Sequence, residues 1–143
     1  VDSSGWLSAL ALFLAVGLLA ESVRQLRRRW LLVKVEGHSM EPALRDGGEV
    51  LARRTRRFET GRVAVVLAPD PVLGWAETRR TGSRDALWLK RIAAGPGEPM
   101  PDSGDPVPAG HYFLLSDNPI GADSRRHGPC PAAAMVGVVI REF

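Results

Sequence analysis

Hydrophobic positions in this 143-residue chain follow two different rules. From Trp6 to Ala20 they run without a period: W-L-S-A-L-A-L-F-L-A-V-G-L-L-A is apolar apart from Ser8. Its 15 residues fall short of the ~17–25 that span hydrocarbon, and Ser3 and Ser4 extend it at little cost. The run predicts an apolar helix, read here as a membrane anchor rather than a buried core helix, since nothing downstream offers a helical partner. A cleaved signal peptide fits less well, because the start has no basic region and Leu18-Leu19-Ala20 is a poor small-x-small cleavage site.

Beyond Arg29 the period changes to two. Leu32-Val33-Lys34-Val35-Glu36 alternates like a strand. Gly37 to Asp46 reads as a turn region, and Glu49 to Arg53 as a second strand. Val63 to Leu67 is a continuous apolar run of the kind that forms a buried strand. Pro69, Asp70 and Pro71 predict a turn, with Val72 to Thr78 returning as a hairpin partner. Leu87 to Ala93, His111 to Leu115 and Val136 to Arg141 complete the set. Short strands separated by frequent turn signals predict an all-β, antiparallel sandwich or barrel. The expected organisation is an anchor with a basic juxtamembrane segment over residues 1–30 and a β domain over residues 31–143.

Composition supports a folded domain: 45% hydrophobic and 24% charged, with 15 glycines and 11 prolines suited to turns. The single cysteine, Cys130, cannot form an internal disulfide, and it shares no zinc-ligand spacing with His38, His111 or His127. No metal or cofactor is expected. The net charge of +3 is concentrated in two arginine clusters. Arg24, Arg27, Arg28 and Arg29 follow the apolar run, where cations meet lipid headgroups. Arg53, Arg54, Arg56 and Arg57 read as a solvated face, and no base-reading motif accompanies them, so no nucleic-acid partner is expected.

Among the 19 basic residues only Lys34 and Lys90 are lysines. Arginine keeps its proton in a protein, whereas a buried lysine can lose it. Lys90 lies in A-L-W-L-K-R-I-A, a strongly apolar strand. A free lysine titrates near ~10.4, and apolar burial can lower that by as much as about 3–5 pH units. Ser39 follows a strand and Gly37, in V-E-G-H-S-M-E-P. A tight turn there would project its hydroxyl while backbone N–H groups converge nearby. Ser39 as nucleophile with Lys90 as base is therefore the leading pair. His111 and His127, with Asp117 or Asp123 as orienter, are the alternative bases.

These residues sit in four segments that together resemble the type I signal peptidase family. Gly37-His38-Ser39-Met40-Glu41-Pro42-Ala43-Leu44 resembles the nucleophile box, and Gly61 to Val66 the strand that follows. Leu89-Lys90-Arg91-Ile92 with Gly95-Pro96-Gly97-Glu98 resembles the lysine box. Ser116-Asp117-Asn118 and Asp123-Ser124-Arg125 with Gly128 resemble the final box. The resemblance implies an antiparallel signal-peptidase-like β catalytic domain behind one N-terminal helix. It implies a serine endopeptidase in which Ser39 attacks a scissile carbonyl and Lys90 takes the hydroxyl proton. Gly37, His38 and Met40 would line the oxyanion and substrate cleft, and Asp117, Asn118, Asp123, Ser124 and Arg125 would support the site. The partners implied are membrane lipid and exported precursor polypeptides with small residues before the cut. The domain would lie on the extracytoplasmic side, although the arginines after the apolar run argue the opposite by the positive-inside rule.

The chain departs from the family pattern in its final box. Ser116 stands where glycine is usual, and Gly121 where a serine often hydrogen-bonds the lysine. Ser116 and Ser124 are the hydroxyls available to replace it. The stretch from Gly97 to Gly110 leaves no room for a large second domain, so the chain resembles minimal members such as mitochondrial inner-membrane peptidases. A dedicated maturation protease, as for a nickel superoxide dismutase precursor, is one alternative. A catalytically weak or inactive membrane-tethered peptide-binding domain is another. A self-cleaving repressor-type protein shares the dyad chemistry, but here an apolar segment stands where that group carries a DNA-binding domain.

Overall fold

The computed structural model describes residues 3–75 and 87–143. Helix α1 covers Ser3–Arg29, well beyond the apolar run. The extension is made of good helix formers, and an Arg24–Glu21 ion pair at 3.1 Å braces it. Its last turn holds Arg27, Arg28 and Arg29, where the helix dipole favours cations. At 27 residues the helix is about 40 Å long. It is long and apolar enough to cross a membrane, with a mean hydropathy of 1.9 over its most apolar window. Its large apolar side chains, Phe13 and Leu18 among them, are exposed.

Strands follow directly: β1 (Trp30–Lys34), β2 (Glu49–Arg54), β3 (Val63–Leu67), β4 (Leu87–Ala94), β5 (His111–Leu115), β6 (Cys130–Pro131) and β7 (Met135–Glu142). They form one antiparallel half-barrel sheet in the order β1-β2-β7-β3-β4-β5-β6. The expected strands are present apart from the one at Val72, and the first of them is shifted. β1 begins at Trp30 rather than Leu32, because its ladder with β2 runs from Trp30↔Arg53 to Lys34↔Glu49. Val35 continues the pairing beyond the strand, its N–H donating to the Gly48 carbonyl at 2.8 Å and its carbonyl accepting from the Gly47 N–H at 2.9 Å.

The expected strand from Val72 is not formed over its described part. Asp70 and Gly74 exchange both backbone hydrogen bonds, at 3.0 and 2.9 Å, and Asp70 Oδ1 accepts from the N–H groups of Val72 and Leu73. This side-chain-capped turn competes with extension. Residues 76–78 of that expectation lie outside the described residues.

The sheet is covered on both faces. One cluster joins Val33, Val35, Met40, Leu44, Val50, Ala52, Val65 and Leu89. A second joins Ala64, Val66, Ile92, Leu114, Cys130, Ala134 and Met135, and a smaller third joins Ala94, Val107 and Phe113. Adjacent residues of β3 thus serve opposite clusters, as the strand period requires. Burial pushes the Cys130 thiol up to about 12, so it is an inert packing residue.

Candidate active site

The turn after β1 carries Ser39. Gly37 has φ of +82°, a left-handed conformation that suits glycine, and its N–H donates to Asp46 Oδ1 at 2.8 Å. Met40, 2% exposed, anchors the turn in the first cluster. From the other side Asn118 clamps it. The Asn118 N–H donates to the Ser39 carbonyl at 2.8 Å, and its side-chain Nδ2 donates to the His38 carbonyl at 3.0 Å.

Strand β4 carries Lys90, only 3% exposed. Trp88, Lys90 and Ile92 alternate on one face, and Nζ lies 4.9 Å from the centre of the Trp88 ring. Desolvation lowers the Lys90 pKa from the ordinary lysine value, partly offset by the negative charge of Asp123. Its Nζ donates to Ser116 Oγ at 2.9 Å. The register explains that meeting. β4 pairs with β5 through Ile92↔Leu114 and Arg91↔Leu115, so one step further brings Ser116 opposite Lys90.

The loop after β5 is held by two carboxylates. Asp117 takes a bidentate pair from Arg91, both contacts at 2.7 Å, and Arg91 also donates to the Gly61 carbonyl at 2.8 Å. Asp123, 2% exposed, has all its acceptor sites engaged. Oδ1 accepts from the Arg125 N–H and Nε, both at 3.0 Å, and Oδ2 accepts from the Ser116 N–H at 2.9 Å and from Arg125 Nη2 at 2.8 Å. Burial alone would raise its pKa, but these donors outweigh it and hold the carboxyl below the usual range. Asp123 also caps α2 (Ser124–His127). Ser124, buried, turns its hydroxyl to the Leu114 N–H at 2.9 Å and not to Lys90.

One cavity of about 640 Å³ brings the two ends together. It is lined by Gly37, Ser39, Met40, Lys90 and Ala122, with β1 residues Leu32 to Lys34 on one side and Leu87 to Leu89 of β4 on another. His38 does not line it; His38 Nδ1 pairs with Glu41 Oε1 at 2.8 Å, which raises the histidine pKa. The rival bases stand elsewhere. His111 Nδ1 engages the Ala109 carbonyl, and His127 packs on Trp88 with ring centres 5.7 Å apart. Neither lines the cavity of Ser39. Among the described residues, no group of three or more His, Cys, Asp or Glu is placed to hold a metal ion.

Sequence reasoning assigned no role to Arg91 and left Ser116 only as a possible substitute. Arg91 had one usable signal, its place beside Lys90 on a two-residue period. For Ser116, the choice over Ser124 had no signal without the pairing of β4 with β5.

The chain is thus an antiparallel β half-barrel behind one apolar helix, with a buried lysine and a serine lining one cavity. The profile of the family described as "Signal peptidase, peptidase S26" matches residues 5–100 and 98–142. The chain belongs to that family. No curated protein matches it.

Proposed function

We propose that this chain is a membrane-anchored serine endopeptidase that removes N-terminal segments from exported precursor proteins, with Ser39 as nucleophile and Lys90 as general base. The observation that carries the reading is the buried Lys90, with its lowered pKa, sharing one cavity with Ser39. A neutral amine takes the Ser39 proton as the hydroxyl attacks the scissile carbonyl. The acyl-enzyme forms as the peptide amine leaves with a proton, and water then releases the acyl group. In this reading backbone N–H groups at the Ser39 turn receive the developing oxyanion, and the Asn118 clamp on the Ser39 and His38 carbonyls supports it by holding that turn.

The cleft suits an extended polypeptide. Among the described residues β1 is an edge strand with an unpaired side, and the cavity is lined by it and by β4. Residues 1–30 act as the anchor and residues 31–143 as the catalytic domain, placed on the extracytoplasmic side. The arginines ending α1 satisfy the helix dipole, so their presence has a cause other than topology.

Acylation tests the reading. The full chain in detergent is incubated with a penem-type serine acylator, and peptide mass mapping is expected to place one adduct on Ser39. Ser39→Ala should take up none and should cleave no precursor. Folded wild-type protein that neither reacts nor cleaves would instead be a peptide-binding domain.

A further inference from the structure

Ser116 and Gly121 meet at the centre of the site, and neither side chain is free to change alone. A Cβ added to Gly121 would overlap Ser116 Oγ outright and stand 2.7 Å from Ser116 Cβ and 2.9 Å from Ser39 Cβ. Real Cβ atoms do not approach that closely, so Ser116 fills the space a side chain at position 121 would need. Ser116 itself is 8% exposed and held from several directions. Its N–H donates to Asp123 Oδ2 at 2.9 Å, and its hydroxyl lies 3.5 Å from the Ala122 carbonyl. With its proton toward that carbonyl, Oγ presents its lone pairs to Lys90 Nζ at 2.9 Å.

We propose that Ser116 is the positioning residue for Lys90 in this chain, and that position 121 is glycine because Ser116 occupies its side-chain space. This inference rests on the reading of Ser39 and Lys90 as the reacting pair. One amine N–H is pinned to Ser116 Oγ, and the Trp88 ring covers another side of the ammonium group. The rotation left to Nζ is thereby restricted, which directs its lone pair when the amine is neutral. Ser116 is in turn set by Asp123 through its own backbone, so the Asp123–Arg125 pair acts on the lysine through Ser116. The sites are reciprocal. The Ser116 hydroxyl and a side chain at position 121 compete for one space and cannot coexist.

A double-mutant cycle tests this with the penem acylator, separating the maximal acylation rate from the apparent affinity and following both with pH. Ser116→Ala removes one oxygen atom and keeps the packing. Its maximal acylation rate is expected to fall roughly 10–100-fold, the loss typical of one hydrogen bond to a charged group, with little change in affinity. Its pH limb should move to lower pH, because the ammonium loses an acceptor. A purely structural role would move neither. Gly121→Ser alone should fall by a comparable factor through overlap with Ser116 and Ser39. Ser116→Gly/Gly121→Ser removes the overlap with Ser116 and keeps only the approach to Ser39, so it should acylate at least about tenfold faster than Gly121→Ser, a positive coupling between contacting sites. Wild-type rate and pH limb in Ser116→Ala would overturn the positioning role. A double variant no better than the worse single variant would overturn the reciprocity. The dyad reading fails separately, if Lys90→Met acylates normally.

Discussion

Lys90→Met is expected to lower precursor cleavage by roughly 10²–10⁴-fold, the contribution of a general base, while leaving the fold at least as stable as wild type. The two halves of that result have one cause. Lys90 is almost fully buried, and desolvation disfavours its charged form. Its folded pKa therefore lies below that of the unfolded chain. Between those two values the unfolded chain binds more protons, so stability rises with pH across that window. Below the window the protein carries the full penalty of a buried ammonium. Methionine has a similar length and no charge, so it removes the penalty along with the base. Lys90→Arg should lose cleavage equally, since a guanidinium keeps its proton. The wild-type rate should rise with pH through the lowered Lys90 pKa and level off above it. Thermal melts and a pH–rate profile on one precursor peptide measure all of this. Normal cleavage by either variant would remove Lys90 from the mechanism.

Asp123→Asn should damage both stability and activity, through its contacts with Ser116 and Arg125. The carboxylate is buried and accepts from the backbone N–H groups of Ser116 and Arg125 and from the Arg125 side chain. An amide cannot face all of those donors with an acceptor. The N–H of Ser116, left facing another donor, alone costs about 1–3 kcal/mol. The pH dependence identifies the source. The folded pKa of Asp123 is depressed, so its stabilisation is present above the unfolded value of about 3.9 and is lost as pH falls through the folded value. Asp123→Asn should flatten that acid limb. It should also shift the pH–rate limb downward, because the Asp123 charge is what partly offsets the lowering at Lys90. Denaturant titrations at several pH values follow the first effect and acylation rates the second. An unchanged acid limb would mean that Asp123 contributes no proton linkage.

The two carboxylates near the site do different work. Asp117 ties β4 to the loop after β5 through the bidentate Arg91 pair, which is partly exposed. That pair sets loop position, and exposed ion pairs contribute little stability on their own. Asp123 is the buried partner and has the larger leverage on Ser116. Similar residue types in one short box thus have unequal consequences, and burial decides which matters more.

How the site was legible follows from the range of each interaction. The apolar helix and the period-two strands were readable because both patterns depend on neighbours a few residues apart. Helix α1 runs on past the apolar run because Glu21 to Arg29 is helical by propensity and by the dipole's preference for cations at its end, not by apolarity. The turn at Asp70 displaced an expected strand because one carboxylate captured two N–H groups. Ser39 and Lys90 could be singled out from local chemistry and ordered boxes, a turn serine and a lysine in an apolar strand. That they line one cavity, while His111 and His127 do not, depended on how the sheet closes. Which of Ser116 and Ser124 meets Lys90 was beyond the sequence. Ser116 lies 26 positions away and reaches Nζ only because β4 and β5 pair in one register. A one-residue slip would turn its side chain to the other face. Local order along this chain was written in its periodicity, whereas the direction in which its lysine points was decided by strand register and by the space that Gly121 leaves.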